Sequence, residues 1–145
     1  VLDKNGNKMS KRLGNAIDPF ETVDKYGADA VRWYMVTNAQ PWDNLKFDMD
    51  GVVESQRKFL GTLYNTYSFF AIYANIDQFV FRENHQTPVA SRSELDRWIL
   101  SKLNSLILEV TEALDDYDPT KAARAIEEFV SEQLSNWYAN LLAKK

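Results

Sequence analysis

The chain has no cysteine and a single histidine, His85, among its 145 residues. Disulfides and thiolate zinc sites are therefore excluded, and so is a metal cluster built on imidazoles. His85 stands between Asn84 and Gln86 with no partner at metal or catalytic spacing, and no role is assigned to it. Glycine (5) and proline (4) are also scarce, which argues against a low-complexity or linker-like chain. There is no excess of positive charge: 17 basic residues face 21 acidic ones, for a net charge of -4. Small domains devoted to nucleic acid are usually basic, so any RNA contact has to be a local patch. No apolar run reaches the length of a membrane span, and the N-terminus carries no signal-peptide pattern. These absences suit a cytoplasmic protein. Asp43, Asp48 and Asp50 lack the spacing and terminal glutamate of a calcium loop, so helix capping is their simpler reading.

What is present is helical periodicity. With 45% hydrophobic residues, the length suffices for one real core. Residues 1–15 are polar, and Asn5-Gly6 reads as the turn of a hairpin. Asp18-Pro19-Phe20-Glu21 is a helix start, and Gly27 stops that helix. A second helix is predicted over 28–37, with Ala30, Val31, Tyr34 and Met35 at helical spacing. Residues 38–51 have no period and read as a connector. A long helix follows over 53–75, with Phe59, Leu60, Leu63, Tyr64, Tyr67, Phe70, Ala71 and Ala74 as one buried stripe. After a loop over 76–92, Ser93 to Asp96 opens a helix with Leu95, Trp98, Ile99, Leu103, Leu106, Ile107, Val110 and Leu114 on its apolar face. Asp118-Pro119 opens the last helix, whose stripe is Ala122, Ile126, Phe129, Val130, Leu134, Trp137 and Leu141. The short link between these two helices predicts an antiparallel hairpin. Trp33, Trp42, Trp98 and Trp137 are assigned to core or interface. The fold class is all-α: an antiparallel helical bundle preceded by a polar loop and short helices.

The chemistry-bearing segment is Lys8-Met9-Ser10-Lys11-Arg12, followed by Leu13-Gly14-Asn15 and Asp18-Pro19. Two lysines and a serine in a polar loop suit a polyphosphate, because ammonium groups supply point charges and exposed N–H groups supply further donors. The glycine spacing of a P-loop is missing. A solvated basic turn is the plain alternative.

The segment resembles the Lys-Met-Ser-Lys-Ser signature of class I aminoacyl-tRNA synthetases, with Arg12 in place of the final serine. Leu13-Gly14-Asn15 and Asp18-Pro19 are similar to the family's continuation, as is Gly27-Ala28-Asp29-Ala30-Val31-Arg32 further on. Leu95 to Asn104 resembles the isoleucine, valine and leucine branch. Thr120 to Arg124 and Leu134 to Tyr138 look most like its isoleucine-specific members. Residues 139–145 depart from the Arg-rich, aromatic continuation that is usual there.

The resemblance implies a loop that closes over ATP and stabilises the departing pyrophosphate as an aminoacyl-adenylate forms. By matching position Lys11 is the main phosphate-contacting lysine and Lys8 the supporting one, with Met9, Ser10 and Arg12 completing the ATP-binding loop. It also implies a division into residues 1–50, the signature loop and connecting helices at the end of a catalytic domain, and 51–145, a partial anticodon-binding bundle. Arg97, Lys102, Lys121 and Arg124 are candidate tRNA contacts, weighed against a solvated face interspersed with acids. The expected partners are tRNA(Ile), and ATP with Mg2+ and isoleucine in a parent enzyme, with neither membrane nor DNA among them. Val1 is not an initiator methionine, and the chain reads as a piece of something longer. The piece alone is expected to hold no cofactor, to be inactive, and to have a mobile signature loop. Valine or leucine specificity, or a stand-alone helical RNA-binding module, are the alternatives.

Overall fold

A computed structural model describes residues 1–82 and 86–143. His85 and the lysines at 144 and 145 lie outside the described residues. The architecture is all-α, as the periodicity predicts, with seven α-helical segments among the described residues. None of these is long and apolar enough to cross a membrane.

The N-terminal hairpin forms around Gly6, whose φ of 86° is a glycine conformation. Leu2 pairs antiparallel with Lys8 and parallel with Lys46, so the hairpin is tied to the connector. Helix α1 (Pro19–Tyr26) is capped by the Asp18 carboxylate, which accepts from the N–H groups of Phe20 and Glu21. Gly27 ends it and α2 (Ala28–Asn38) follows directly.

The connector is shorter than the sequence predicts. Helix α3 (Met49–Ser55) already starts after Asp48, whose carboxylate caps it by accepting from the Asp50 N–H. Gly51 lies in the first turn of this helix, and the Tyr34 ring packs over it. A Cβ at Gly51 would lie 2.4 Å from Tyr34 Cε2. Through a π-helical turn, Gln56–Leu60, α3 runs on into α4 (Gly61–Ile76).

Helix α5 (Glu94–Asp115) starts at the predicted cap, with the Ser93 hydroxyl accepting from the Asp96 N–H. Helix α6 (Pro119–Glu128) packs back against it as the expected hairpin. It continues through a long π-helical stretch, Phe129–Ala139, into the single turn α7 (Asn140–Leu142). Both α4 and α5 end in Schellman geometry without a glycine. Gln78 (φ 52°) and Tyr117 (φ 58°) take the left-handed position, and the N–H groups of Phe79 and Asp118 reach back to the carbonyls of Ala74 and Ala113 at 2.8 Å.

Two buried clusters hold these elements. Ala30, Tyr34, Phe47 and Val52 form the first, with Met9, Ile17 and Leu45 packed on it. Phe59, Ile99, Phe129 and Val130 form the second, with Trp33, Leu60 and Trp98 around it. Trp33 stacks on Phe59 at 4.3 Å, and Leu60 packs against both clusters.

Four expectations about burial are corrected. The α4 stripe is not buried beyond Phe59 and Leu60: Leu63, Tyr64, Tyr67 and Phe70 are exposed, because among the described residues α4 packs mainly on the C-terminal helix, which covers one side of it. On α5, Leu103, Ile107 and Leu114 are exposed likewise. Trp137 is 60% exposed instead of buried. Its helix is wound with i→i+5 hydrogen bonds, so the 3.6-residue period that aligned it with Val130 and Leu134 does not apply, and Tyr138 turns inward in its place. Trp42 also stands exposed in the connector.

Candidate functional site

The signature loop is built on an extended stretch with alternating sides. Met9 points inward onto the first cluster, and Lys8 is exposed beside it. The Ser10 hydroxyl caps a single 3-10 turn, Lys11–Leu13, by accepting from the Arg12 N–H at 3.3 Å. Gly14, in the left-handed conformation, closes that turn. Lys11 and Arg12 sit exposed on the turn. Among the described residues, no carboxylate lies within ion-pair distance of Lys8, Lys11 or Arg12. Three exposed cations thus lie within five residues of one loop, none of them ion-paired among the described residues, an arrangement suited to a multiply charged anion.

Beneath the cations is a polar network. The Asn15 carboxamide accepts from the Ser10 N–H at 2.8 Å and donates to the Lys8 carbonyl at 3.2 Å and to the Asp3 carboxylate at 3.0 Å. Asp3 also accepts from the N–H groups of Asn5 and Asn7 at 3.0 and 2.8 Å. The hydrogen bond from Asn15, and after it the one from the Asn7 backbone, hold the Asp3 carboxyl below its ordinary pKa. Sequence reasoning assigned neither Asp3 nor Asn15 a role. The one available signal was that Asn15 belongs to the matched Leu-Gly-Asn run.

The four bundle cations do not come together. Arg97 is in the first turn of α5 and Lys121 in the first turn of α6, at opposite ends of an antiparallel hairpin. The eighteen residues between Arg97 and the end of α5 correspond to about 27 Å of helix. Lys102 lies between them, and all three are exposed. Arg124 is engaged at home: its guanidinium donates to the carbonyls of Thr37 at 2.9 Å and Asn38 at 3.5 Å, closing the C-terminal end of α2. Thr120, which is buried, directs its hydroxyl to the carbonyls of Val36 and Ala39 at 2.8 and 3.0 Å. Trp33 Nε1 donates to Glu127 at 2.6 Å. The start of α6 and the end of α2 are therefore joined by side chains that satisfy open helix carbonyls.

Tyr138, a candidate base-stacking residue by type, is tied down. Its hydroxyl donates to Asp96 at 2.7 Å. Burial, and then the hydrogen bond to that carboxylate, push its pKa up to about 12. Trp137 remains open and is tilted against Trp98 at 6.4 Å. No group of three or more His, Asp or Glu able to hold a metal occurs among the described residues.

Residues 1–48 match the family of class I tRNA synthetases for isoleucine, leucine, methionine and valine, and residues 96–145 match the anticodon-binding domain of tRNA ligases. The latter match extends through residues 139–145. The isoleucine–tRNA ligases of Cytophaga hutchinsonii and Porphyromonas gingivalis are each 66% identical to the chain over all 145 residues. That of Clostridium tetani is 52% identical over 138 residues, 95% of the chain. The chain spans about an eighth (13%) of the length of each of these curated relatives.

Proposed function

The chain belongs to the class I tRNA synthetases of the isoleucine, leucine, methionine and valine group, and from that premise we propose that it provides the pyrophosphate-contacting loop and adjoining tRNA-binding helices of an isoleucine–tRNA ligase. The observation that carries this reading is the outward display of Lys8 and Lys11, free of carboxylates, on a loop whose Met9 is anchored in the core. The relatives at 52–66% identity over nearly the whole chain favour isoleucine over valine or leucine.

In the proposed reaction an isoleucine carboxylate oxygen attacks the α-phosphorus of ATP. A new C–O–P bond forms, the P–O bond to the β-phosphate breaks, and pyrophosphate leaves with the electron pair. Negative charge grows on the leaving group, and a cation that engages it most strongly in the transition state lowers the barrier. Lys11, on the exposed turn, is the main contact and Lys8, on the extended edge, the supporting one. Ser10 shapes the turn, and Arg12 adds a third positive charge. Mg2+ accompanies ATP, and tRNA(Ile) then accepts the isoleucyl group, all in the cytoplasm. Arg97, Lys102 and Lys121 are phosphate contacts spread along the bundle, and Arg124 serves chiefly the α2–α6 joint. We divide the chain into a catalytic-domain end, 1–50, and a partial anticodon-binding bundle, 51–145, with α3 straddling the boundary.

Lys11→Ala in a full-length ligase carrying this segment tests the reading by ATP–pyrophosphate exchange. The expected loss is on the order of 10²- to 10³-fold in kcat, with the isoleucine KM little changed. An unchanged kcat would overturn it. The chain alone is expected to show only background exchange. Titrating it with tRNA(Ile) and tRNA(Val) over a salt series tests the helices; equal, wholly salt-controlled binding would show that they do not select the tRNA.

A further inference from the structure

We infer that Asn15 is a positioning residue for this loop: its carboxamide clasps the backbone on both sides of Met9 and ties it to Asp3, holding Lys8 and Lys11 in the presentation that the proposed function uses. The inference rests on that function and adds a residue to it.

In an extended strand, the carbonyl of one residue and the N–H of the residue two further on face the same side, where a neighbouring strand would pair with them. Here those groups are the Lys8 carbonyl and the Ser10 N–H, and a single side chain takes both. Asn15 therefore substitutes for a neighbouring strand. The orientation of its amide is set by chemistry. Ser10 N–H can only donate, so it must face the oxygen; the Lys8 carbonyl and the ionised Asp3 carboxylate can only accept, so they must face the NH₂. Holding this stretch extended is what sends Met9 inward and Lys8 outward, and the Ser10-capped turn that carries Lys11 starts at the clasped peptide.

Asp3 extends the clasp to the hairpin. Its carboxylate gathers Asn5, Asn7 and Asn15, while the backbone at Leu2 donates to Leu45 and accepts from Phe47, at 2.7 and 2.8 Å. A continuous run of hydrogen bonds thus leads from the connector, through the hairpin, to the base of the loop. Asn15 touches none of the reacting atoms, so its effect has to pass through the lysines.

The test uses a full-length ligase carrying this segment, with ATP–pyrophosphate exchange as readout and thermal melting as the folding control. Asn15→Ala is expected to lower kcat on the order of 10- to 100-fold, the scale of a small misplacement of a catalytic group, with the isoleucine KM little changed. In a Lys11→Ala background the same substitution should cost little more, because the two act as a unit. Asn15→Asp keeps the acceptor for Ser10 but sets a carboxylate against Asp3 and against the Lys8 carbonyl, so kcat should again fall. Adding Asp3→Asn restores a donor–acceptor pair with reversed polarity and should recover part of it. If Lys11→Ala is impaired while Asn15→Ala is neutral, or its loss adds fully to that of Lys11→Ala, the clasp is overturned and the function stands. An unaffected Lys11→Ala would instead sink the function itself. Should Asn15→Ala melt with the whole protein, the rescue of Asn15→Asp by Asp3→Asn decides, and its absence counts against the clasp.

Discussion

The N-terminal third and the C-terminal bundle of this chain are specified by different kinds of interaction. In the former, short polar side chains make directional bonds over small sequence distances: Asp3 to Asn5, Asn7 and Asn15, Asp18 to Phe20 and Glu21, Ser10 to Arg12. In the latter, helices are held by apolar packing around Phe59, Ile99, Phe129 and Val130, and large faces of α4 and α5 are left open. Directional bonds fix one geometry locally, whereas apolar stripes only demand that something cover them. The bundle therefore depends mainly on which elements are there to pack, whereas the loop depends on them through Met9 and the Leu2 backbone.

The sharpest way to break this contrast is in the bundle. Phe129→Ala removes a buried aromatic ring and is expected to cost about 3–5 kcal/mol in urea unfolding. A loss below 1 kcal/mol would mean that the second cluster contributes little. At the interface of the two regions, Gly51→Ala forces a methyl group against the Tyr34 ring and should cost about 1–3 kcal/mol. A neutral result would show that the ring has somewhere to move. Thr120→Val keeps the shape but leaves the Val36 and Ala39 carbonyls without their hydroxyl partner, for a loss of about 1–2 kcal/mol.

The smaller effects are local. Asp3 has a lowered folded pKa, so its stabilising contribution is complete above the ordinary carboxylate value of about 3.9 and is lost as pH falls through the lower folded value. Acid titration followed by NMR should move the Ser10 and Asn15 signals together while those of α6 stay in place; simultaneous movement of both regions would contradict the local character of the network. Trp137→Ala, by contrast with Phe129→Ala, is expected to change folding stability by less than about 0.5 kcal/mol because the ring is mostly in solvent.

Much of this was legible in residue types. Pro19 after Asp18, Pro119 after Asp118 and the Ser93/Asp96 pair each mark a helix start that the structure reproduces. The ends of α4 and α5 were harder, since Gln78 and Tyr117 take the left-handed position without the glycine that would announce it. Gly51 reads only as the end of an aperiodic connector, and its place under the Tyr34 ring leaves no local signal. Among the site residues, Lys8 and Lys11 stood out by charge. Asn15 did not, because a carboxamide reveals its purpose only through the groups on either side of it.

By itself the sequence determined the helical class, the polar starts of the helices and the family to which the loop belongs, because caps, periods and motifs are local in the chain. Only the tertiary structure decided which stripes are covered, that Arg124 and Thr120 close the end of α2, and that π-helical winding turns Trp137 out and Tyr138 in. Those outcomes depend on which partner lies opposite each side chain, and a hydrophobic period carries no record of its partner.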